Sequence, residues 1–238
     1  FGFATDLWTI NVRDNLELKP SDKISVRMGT DTQFTYSIYE LTIPGFGDAG
    51  SDNPFSAGLD GNGGLSVNYP AYWSEVAIRP IEKLELTPGL RIDYYSNITR
   101  ATFSPRFSTR YSINDKVAVK GGIGLFDQPP NPGNTFENFG NPDLLSEKAI
   151  HYAIGGEWRP LSHLEFNTTL FYRDMYDLVN GSDDFVVDPE TGEQEFEFFN
   201  NDGQGRAYGA EFLLRHYPNK RFFGWIAYTL SRSERLNV

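Results

Sequence analysis

Apolar and polar residues alternate with a period of two along most of this chain. A β-strand with one apolar and one polar face shows such alternation, because successive side chains point to opposite sides. The clearest stretch covers 15 residues, and one of its faces carries Ile24, Val26, Met28, Thr30, Thr32, Phe34, Tyr36 and Ile38. Strands of globular proteins usually have about five or six residues. The pattern therefore predicts an all-β fold built from unusually long strands.

The same alternation predicts ten strands, at residues 4–18, 23–43, 71–79, 84–96, 101–112, 117–128, 148–159, 163–178, 205–217 and 222–236. Five connections are tight polar turns, with the sequences KPSDK, RPIEK, INDK, RPLSH and YPNKR. The four connections between them are longer, at residues 44–70, 96–99, 128–147 and 179–204. In an antiparallel up-and-down sheet, this order places all tight turns at one end and all long loops at the other. Transmembrane β-barrels have that asymmetry, with short periplasmic turns and long extracellular loops.

The composition excludes several other classes of protein. Cysteine is absent from the 238 residues, which excludes disulfides and thiolate metal sites. A net charge of -11 argues against nucleic acid as a partner, since phosphate binding depends on basic patches. No run of about 18 apolar residues encodes a transmembrane helix. The negative mean hydropathy of -0.44 is compatible with a barrel, whose strands need apolar residues only at every second position.

A soluble β-sandwich or propeller is the alternative fold. Its strands would be shorter, and nothing would sort its connections by length. The two folds differ in what covers the apolar stripe, which contacts lipid in a membrane barrel and a second sheet in a sandwich.

Six stretches in this order carry a family likeness: RPIEKLELTPGLRIDYYS, FSPRFSTRYSINDKVAVKGGIGLFDQPP, NPDLLSEKAIHYAIGGEWRP, LEFNTTLFYRDMYDLV, GRAYGAEFLLRHYP and GWIAYTLSRSER. Together they resemble the C-terminal barrel of TonB-dependent outer-membrane receptors, from about Tyr72 to Arg235. The resemblance implies an antiparallel transmembrane β-barrel of 22 strands that encloses an N-terminal plug. A TonB-type energising protein of the inner membrane binds a short box ahead of that plug.

The resemblance implies that residues 1–238 are a partial β-barrel domain, about ten strands of the larger barrel. Its expected partners are outer-membrane lipid, its own plug domain, the missing barrel strands, the TonB-type protein and a small-molecule substrate. A complete ten-stranded barrel is the alternative. An open sheet edge in lipid would leave unpaired N–H and C=O groups, each costing several kcal/mol.

The Pro-rich loop after residue 128 contains aromatic residues, and in the resembling family the loop at this place helps to line an external substrate pocket. Candidate ligand-binding residues in the external loops are Phe136, Phe139, Tyr72, Trp73, Arg100 and Arg206. The alternative for this loop is a rigid cap that packs on its own side chains.

The loop at 179–204 is strongly acidic, and hard cations prefer several carboxylate and carbonyl oxygens. Asp183, Asp184 and Asp188 are therefore weak candidates for a calcium site. The favoured interpretation is a hairpin in water, with DPETG as its turn and with Phe185, Val187, Phe196 and Phe198 on its strands.

Charges of both signs recur on the polar faces of neighbouring strands, where opposite charges form mildly stabilising cross-strand pairs. Most are predicted to be structural pairs inside the barrel, and in a plugged barrel some would face the plug. They are Arg27, Glu75, Glu85, Arg91, Asp93, Arg106, Arg110, Lys120, Glu157, Glu165, Arg173, Glu211 and Arg215. Asp14 departs from the pattern, because it falls on the apolar face. Either it lies near the membrane interface or a bulge shifts the register there.

No catalytic motif, cofactor motif or histidine spacing typical of a metal site is present. The sequence therefore favours a non-enzymatic bacterial outer-membrane receptor. The expected function is active uptake of a scarce nutrient, such as a metal chelate or siderophore, a cofactor or an oligosaccharide. The alternatives are a passive porin or structural barrel, and a soluble secreted β-sandwich binding protein.

Overall fold

The computed structural model describes residues 2–43, 59–136, 140–187, 192, 194–218 and 222–236. These residues form thirteen strands and one short 3-10 helix at Pro132–Thr135. The strands are β1 (Gly2–Arg13), β2 (Leu16–Ser21), β3 (Ile24–Ile43), β4 (Leu59–Ile81), β5 (Leu84–Tyr95), β6 (Arg100–Asn114), β7 (Val117–Gln128), β8 (Glu147–Leu161), β9 (Leu164–Gly181), β10 (Phe185–Val187), β11 (Gln194–Phe196), β12 (Phe199–His216) and β13 (Gly224–Leu236).

The long strands form one antiparallel sheet in the order β1-β3-β4-β5-β6-β7-β8-β9-β12-β13. The short strand β2 also pairs with β3, so that β1 and β2 together make the predicted first strand. Strands β10 and β11 form a separate small hairpin. All ten predicted strands are therefore present, and the predicted up-and-down topology is confirmed.

The apolar face of this sheet is exposed, and its charged face holds the buried polar groups. On the apolar face, the exposed fractions are 71% for Trp8, 59% for Ile154 and 63% for Leu230. On the charged face, Asp93 is 7% exposed and Glu165 is 5% exposed. Within the described residues no second sheet covers the apolar stripe, so the sandwich alternative is wrong. The exposed apolar face suits contact with lipid, as in a transmembrane barrel.

A row of tyrosines crosses the apolar face. Tyr152 pairs with Tyr172, which pairs with Tyr208, and neighbouring ring centroids are 6.4 Å apart. Aromatic girdles of this kind mark the level at which a barrel wall passes from hydrocarbon to head groups. The row lies near the middle of β9 and β12. We call the end of the strands that carries the longer loops the long-loop end.

The four tight turns that are fully described share one construction. Each has two residues, and the strand pairing shifts by one residue just before it. The carbonyl of the second turn residue then accepts an N–H from the neighbouring hairpin at 2.7–2.8 Å, in the pairs Lys23 with Arg79, Lys83 with Ser112, Lys116 with Arg159, and His163 with Tyr217. These bonds join each tight turn to the next, and the bulges increase the local twist that a curved wall needs.

At the long-loop end the strands extend further than predicted. β4 begins at Leu59 instead of residue 71, and β12 begins at Phe199 instead of residue 205. The prediction was wrong there because residues 60–64 are only Asp, Gly and Asn, and the alternation of Leu65, Val67 and Tyr69 that follows is short. They form a strand because the long strand β3 supplies backbone partners along the whole length, from Thr32 to Ile43.

At Asp14 the strand pairing is irregular, because the side-chain carboxylate of Asp14 replaces a backbone carbonyl as the acceptor of the Thr30 N–H. The register between the first strand and β3 is the same on both sides of Asp14, so the predicted bulge is not observed. Instead the Asp14 carboxylate accepts the Thr30 N–H at 2.8 Å and the Thr30 hydroxyl at 3.0 Å. The charged group on the apolar face thereby keeps two hydrogen-bond donors.

Gly29 is required at this irregularity. A Cβ at Gly29 would overlap the backbone carbonyl oxygen of Asp14 and would lie 3.0 Å from the Trp73 ring. We expect Gly29→Ala to destabilise the protein by about 1–3 kcal/mol, the range for overpacking. Gly121→Ala is the matched control, since a Cβ there would meet nothing closer than 3.7 Å. Urea unfolding of the detergent-solubilised protein measures both, and equal midpoints would contradict the assignment.

Candidate functional site

A niche on the charged face, near the long-loop end, is the candidate functional site. Its volume is 340 Å³, and side chains of β3, β4, β5 and β7 line it. We call it the long-loop niche. Its lining residues used below are Asp31, Gln33, Tyr69, Arg91, Asp93 and Tyr95.

An ion-pair ladder forms the floor of the long-loop niche. Arg91 binds Asp93 through Nε and Nη2 at 2.8–2.9 Å, and its Nη1 lies 3.8 Å from Asp31. Asp31 also pairs with Arg13 at 2.9 Å. The ladder therefore alternates in sign across β1, β3 and β5, and each carboxylate on it has an arginine partner.

The strand register explains why Arg91 can reach both carboxylates. Asp31 and Asp93 are both paired with Ala71, which lies between them on β4 and is 6% exposed. Ala71 places only a methyl group between them, and the Arg91 guanidinium contacts both carboxylates.

Two tyrosines form the wall above the ladder. The rings of Tyr69 and Tyr95 meet edge to face, with centroids 5.5 Å apart. The Tyr95 hydroxyl donates to the Asp127 carbonyl at 3.2 Å, so it is engaged. The Tyr69 hydroxyl is buried and has no hydrogen-bond partner among the described residues. Because a buried polar group without a partner costs free energy, Tyr69 is the group in this niche most in need of an acceptor or donor from a ligand.

The loop after β7 is anchored to β6 beside the niche. The Asp127 carboxylate accepts the hydroxyls of Ser104 at 2.9 Å and Ser146 at 3.2 Å, and both serines are buried. Asn97 donates to the Pro130 carbonyl at 3.3 Å. Pro130 and Leu144 are among the most buried side chains of the protein. This part of the loop is thus packed against the sheet, and not only on its own side chains.

The far side of the same loop is anchored to β9 and β12. Asn201 accepts the Leu145 N–H at 2.7 Å, and its amide donates to the Asp177 carbonyl at 2.8 Å. Glu147 accepts the Val179 N–H at 2.9 Å. The loop therefore bridges neighbouring hairpins at the long-loop end and holds the rim of the niche in one position.

The acidic loop forms a hairpin as predicted, although Phe198 lies after the end of β11 instead of on it. Phe185 pairs with Phe196 across β10 and β11, and their rings meet edge to face at 5.5 Å. The predicted turn lies largely outside the described residues, as does Asp188. Asp183 and Asp184 are exposed, and no group of three potential metal ligands is found in the part of the chain that is described. The calcium site remains a prediction.

The structure separates the predicted ligand-binding residues. Tyr72 lies on the apolar face, where its hydroxyl is 3.9 Å from the Met28 sulfur. Arg206 lies on the same face and pairs with Glu234. Arg100 is exposed at the start of β6.

Of the other predicted ligand-binding residues, Trp73 lies on the charged face and Phe136 lies in the loop beside the long-loop niche. Trp73 is on the charged face, paired with Arg91 at the floor of the niche. Phe136 is half-buried directly after the 3-10 helix, and Phe139 lies outside the described residues.

Sequence reasoning missed Tyr69 and Tyr95. A signal was present for Tyr95, which the alternation assigns to the polar face, whereas Tyr69 precedes the predicted start of its strand at residue 71. Arg91 and Asp93 were among the charges predicted to form structural pairs, and they pair with each other along β5. Cross-strand pairs among the same charges are Arg27 with Glu75, Arg110 with Glu157, and Lys120 with Glu157, as the prediction of structural pairs requires.

Three kinds of comparison bear on identity. The family model described as TonB dependent receptor-like, beta-barrel, matches residues 1–237. None of the curated proteins that were compared matches the sequence. In the described residues, no helix has the length and hydrophobicity needed to cross a bilayer.

Solved structures show the same fold at low sequence identity. The siderophore receptor PirA from Pseudomonas aeruginosa is 17% identical, with a TM-score of 0.68 over 98% of this chain and 44% of that chain. The outer membrane transporter YddB from Escherichia coli is 16% identical, with a TM-score of 0.65 over 98% of this chain and 34% of that one. A variant of the ferric enterobactin receptor PfeA from Pseudomonas aeruginosa is 18% identical, with a TM-score of 0.66 over 96% of this chain and 36% of that one.

The chain thus spans less than half the length of these solved structures, while the family model covers nearly all of the chain. Its one large antiparallel sheet, its exposed apolar face and its sorted connections agree with that match. The chain belongs to the family of TonB-dependent receptor-like β-barrels and is part of a bacterial outer-membrane β-barrel.

Proposed function

We propose that this barrel belongs to a receptor that actively takes up a scarce nutrient, and that the nutrient is a metal chelate of the siderophore class. The observation that carries the proposal is the long-loop niche, a polar and aromatic recess beside an anchored external loop. Family membership supports transport rather than catalysis. Two of the similar structures are named as a siderophore receptor and a ferric enterobactin receptor, which supports the choice of ligand class.

The chemistry of the niche suits a polar ligand with flat or aromatic parts. Its volume of 340 Å³ lies at the lower end of the usual range for small-molecule pockets, about 300–1,000 Å³. Tyr69 supplies an unpartnered hydroxyl and Gln33 a carboxamide, while Arg91 is already held by two carboxylates. We expect Trp73, Arg100, Phe136 and Phe139 to supplement these contacts once the external loops close over a ligand. A cofactor or an oligosaccharide would use the same groups.

The proposal also includes partners beyond this chain. A plug domain would fill the barrel, further strands would pair with β1 and β13, and a TonB-type protein would supply energy from the inner membrane. These elements would let the niche capture a ligand outside and release it inward. A passive porin would need no energy source, so energy dependence separates the two functions.

Uptake by intact cells provides the direct test. Deletion of the full-length gene should abolish energised uptake of one ferric chelate from a panel of siderophores, and collapse of the proton gradient should have the same effect. Transport of the same chelate should return when the gene is supplied on a plasmid. Uptake that continues without a proton gradient would support a passive porin and overturn the proposal.

Tyr69→Phe tests the niche itself. Loss of one neutral hydrogen bond to the ligand should weaken binding to the purified receptor about 2- to 10-fold, since such a bond contributes roughly 0.5–1.5 kcal/mol. The matched control is Tyr172→Phe, which removes the same hydroxyl from the apolar face. Fluorescence titration with the transported chelate measures both variants. Equal affinities for the two would place the ligand outside the long-loop niche.

A further inference from the structure

Charge is divided between the two ends of the sheet. The longer connections contain three carboxylates at residues 44–70, three at 128–147 and eight at 179–204, and none of these ranges contains Lys or Arg. Each of the five tight turns contains at least one Lys or Arg, in the sequences KPSDK, RPIEK, INDK, RPLSH and YPNKR. The net charge of -11 is therefore concentrated at the long-loop end, where the candidate site lies.

The long-loop niche carries the same sign of charge. The ion-pair ladder at its floor is balanced, because its two arginines offset its two aspartates. Asp127 adds a further carboxylate to the lining. It accepts the hydroxyls of Ser104 and Ser146, but no described Lys or Arg lies within ion-pair distance of it. Arg106 lies two residues from Ser104 on β6, but it lines a separate recess. The niche thus keeps one carboxylate without a cationic partner.

Two aromatic rings lie beside this carboxylate. Tyr69 and Tyr95 line the niche together with Asp127, and the Tyr95 hydroxyl donates to the Asp127 carbonyl at 3.2 Å. Aromatic faces attract organic cations, because the ring quadrupole is negative above the ring plane. A divalent metal ion would need several oxygen ligands, and the other two carboxylates of the niche are held by arginines. The lining therefore suits an ammonium group better than a bare metal ion.

We propose that the long-loop niche binds the ammonium group of a positively charged metal chelate, with Asp127 as the counter-ion and Tyr69 and Tyr95 as the aromatic wall. The inference rests on the proposed function and narrows its ligand class by charge. A carboxylate has about four lone-pair sites, so Asp127 can accept an ammonium while it keeps both serine hydroxyls. The Tyr69 hydroxyl, buried without a described partner, is available to an oxygen of the same chelate.

The acidic connections would act before the chelate reaches the niche. A cleft lined by charges of one sign raises the local concentration of ligands of the opposite sign and speeds their association. A cationic chelate would be attracted to the long-loop end, whereas an anionic chelate, such as an iron complex of catecholates, would be repelled from it. The niche and its approach thus select the same charge.

The first experiment varies the charge of one chelate that is added to the purified full-length receptor. Ferric desferrioxamine B, a linear trihydroxamate with a free primary ammonium, is compared with its neutral N-acetyl derivative and with its N-succinyl derivative, which ends in a carboxylate. Affinity, measured by fluorescence titration, should fall about 10-fold from the ammonium to the acetyl form, because a charge-assisted hydrogen bond is lost. The succinyl form should bind more weakly still. Equal affinities, the reverse order or no binding of the ammonium form would overturn the proposal.

The second experiment assigns the ammonium to Asp127. Asp127→Asn keeps an acceptor for a serine hydroxyl but removes the charge, so it should abolish most of the preference for the ammonium form over the acetyl form. A purely structural role would weaken binding of both forms equally and leave that preference unchanged, which would overturn the assignment. Asp143→Asn is the matched control, since Asp143 is exposed in the same loop and does not line the niche. Its preference should equal that of the wild type.

Uptake by intact cells separates this inference from the proposed function. Energised uptake of an anionic chelate, with no uptake of the ammonium form, would overturn the charge selection and leave active transport standing. Uptake of the ammonium form that continues without a proton gradient would overturn active transport, while the affinity series would still decide the charge selection.

Discussion

Hydrocarbon offers no hydrogen bonds, so every backbone N–H and C=O within a bilayer must find its partner in the protein. The sheet meets this requirement with one antiparallel ladder that runs from β1 to β13. Tight-turn carbonyls are satisfied by the next hairpin, as Lys23 is by Arg79. Even the interruption at Asp14 obeys the rule, because its carboxylate takes the Thr30 N–H. Once the ladder is continuous, the alternation of side chains assigns one face to lipid and the other to an enclosed interior.

That assignment reverses the usual distribution of burial and explains the chemistry of the charged face. Apolar side chains such as Trp8 are exposed, because lipid covers them in the membrane. Acidic groups such as Asp93 and Glu165 are buried in the wall and are stabilised by arginines on the same or adjacent strands. Because removing one member of a buried pair leaves an uncompensated charge, these pairs are expected to be more important for the wall than exposed surface pairs.

The period-two alternation was sufficient to predict ten strands, their order and the sorting of turns by length. It failed at residues 59–70, because the Gly- and Asn-rich part of that stretch is held in the sheet by backbone pairing with β3. It also could not predict how Asp14 is accommodated, which depends on a single side-chain acceptor and on Gly29.

The candidate site was predicted less well. Tyr69 and Tyr95 come together from strands 26 residues apart in sequence, and only the register of β4 and β5 shows that their rings touch.

Positions on the charged face differ in whether their charges are closed within the wall. In the long-loop niche, Arg91 is neutralised by Asp31 and Asp93, and the group left without a partner among the described residues is the uncharged Tyr69 hydroxyl. At Arg106, no described carboxylate lies within ion-pair distance, and the buried Nε has no hydrogen-bond partner among the described residues. Because an unpaired buried donor is costly, the wall is electrostatically complete around Arg91 and incomplete around Arg106.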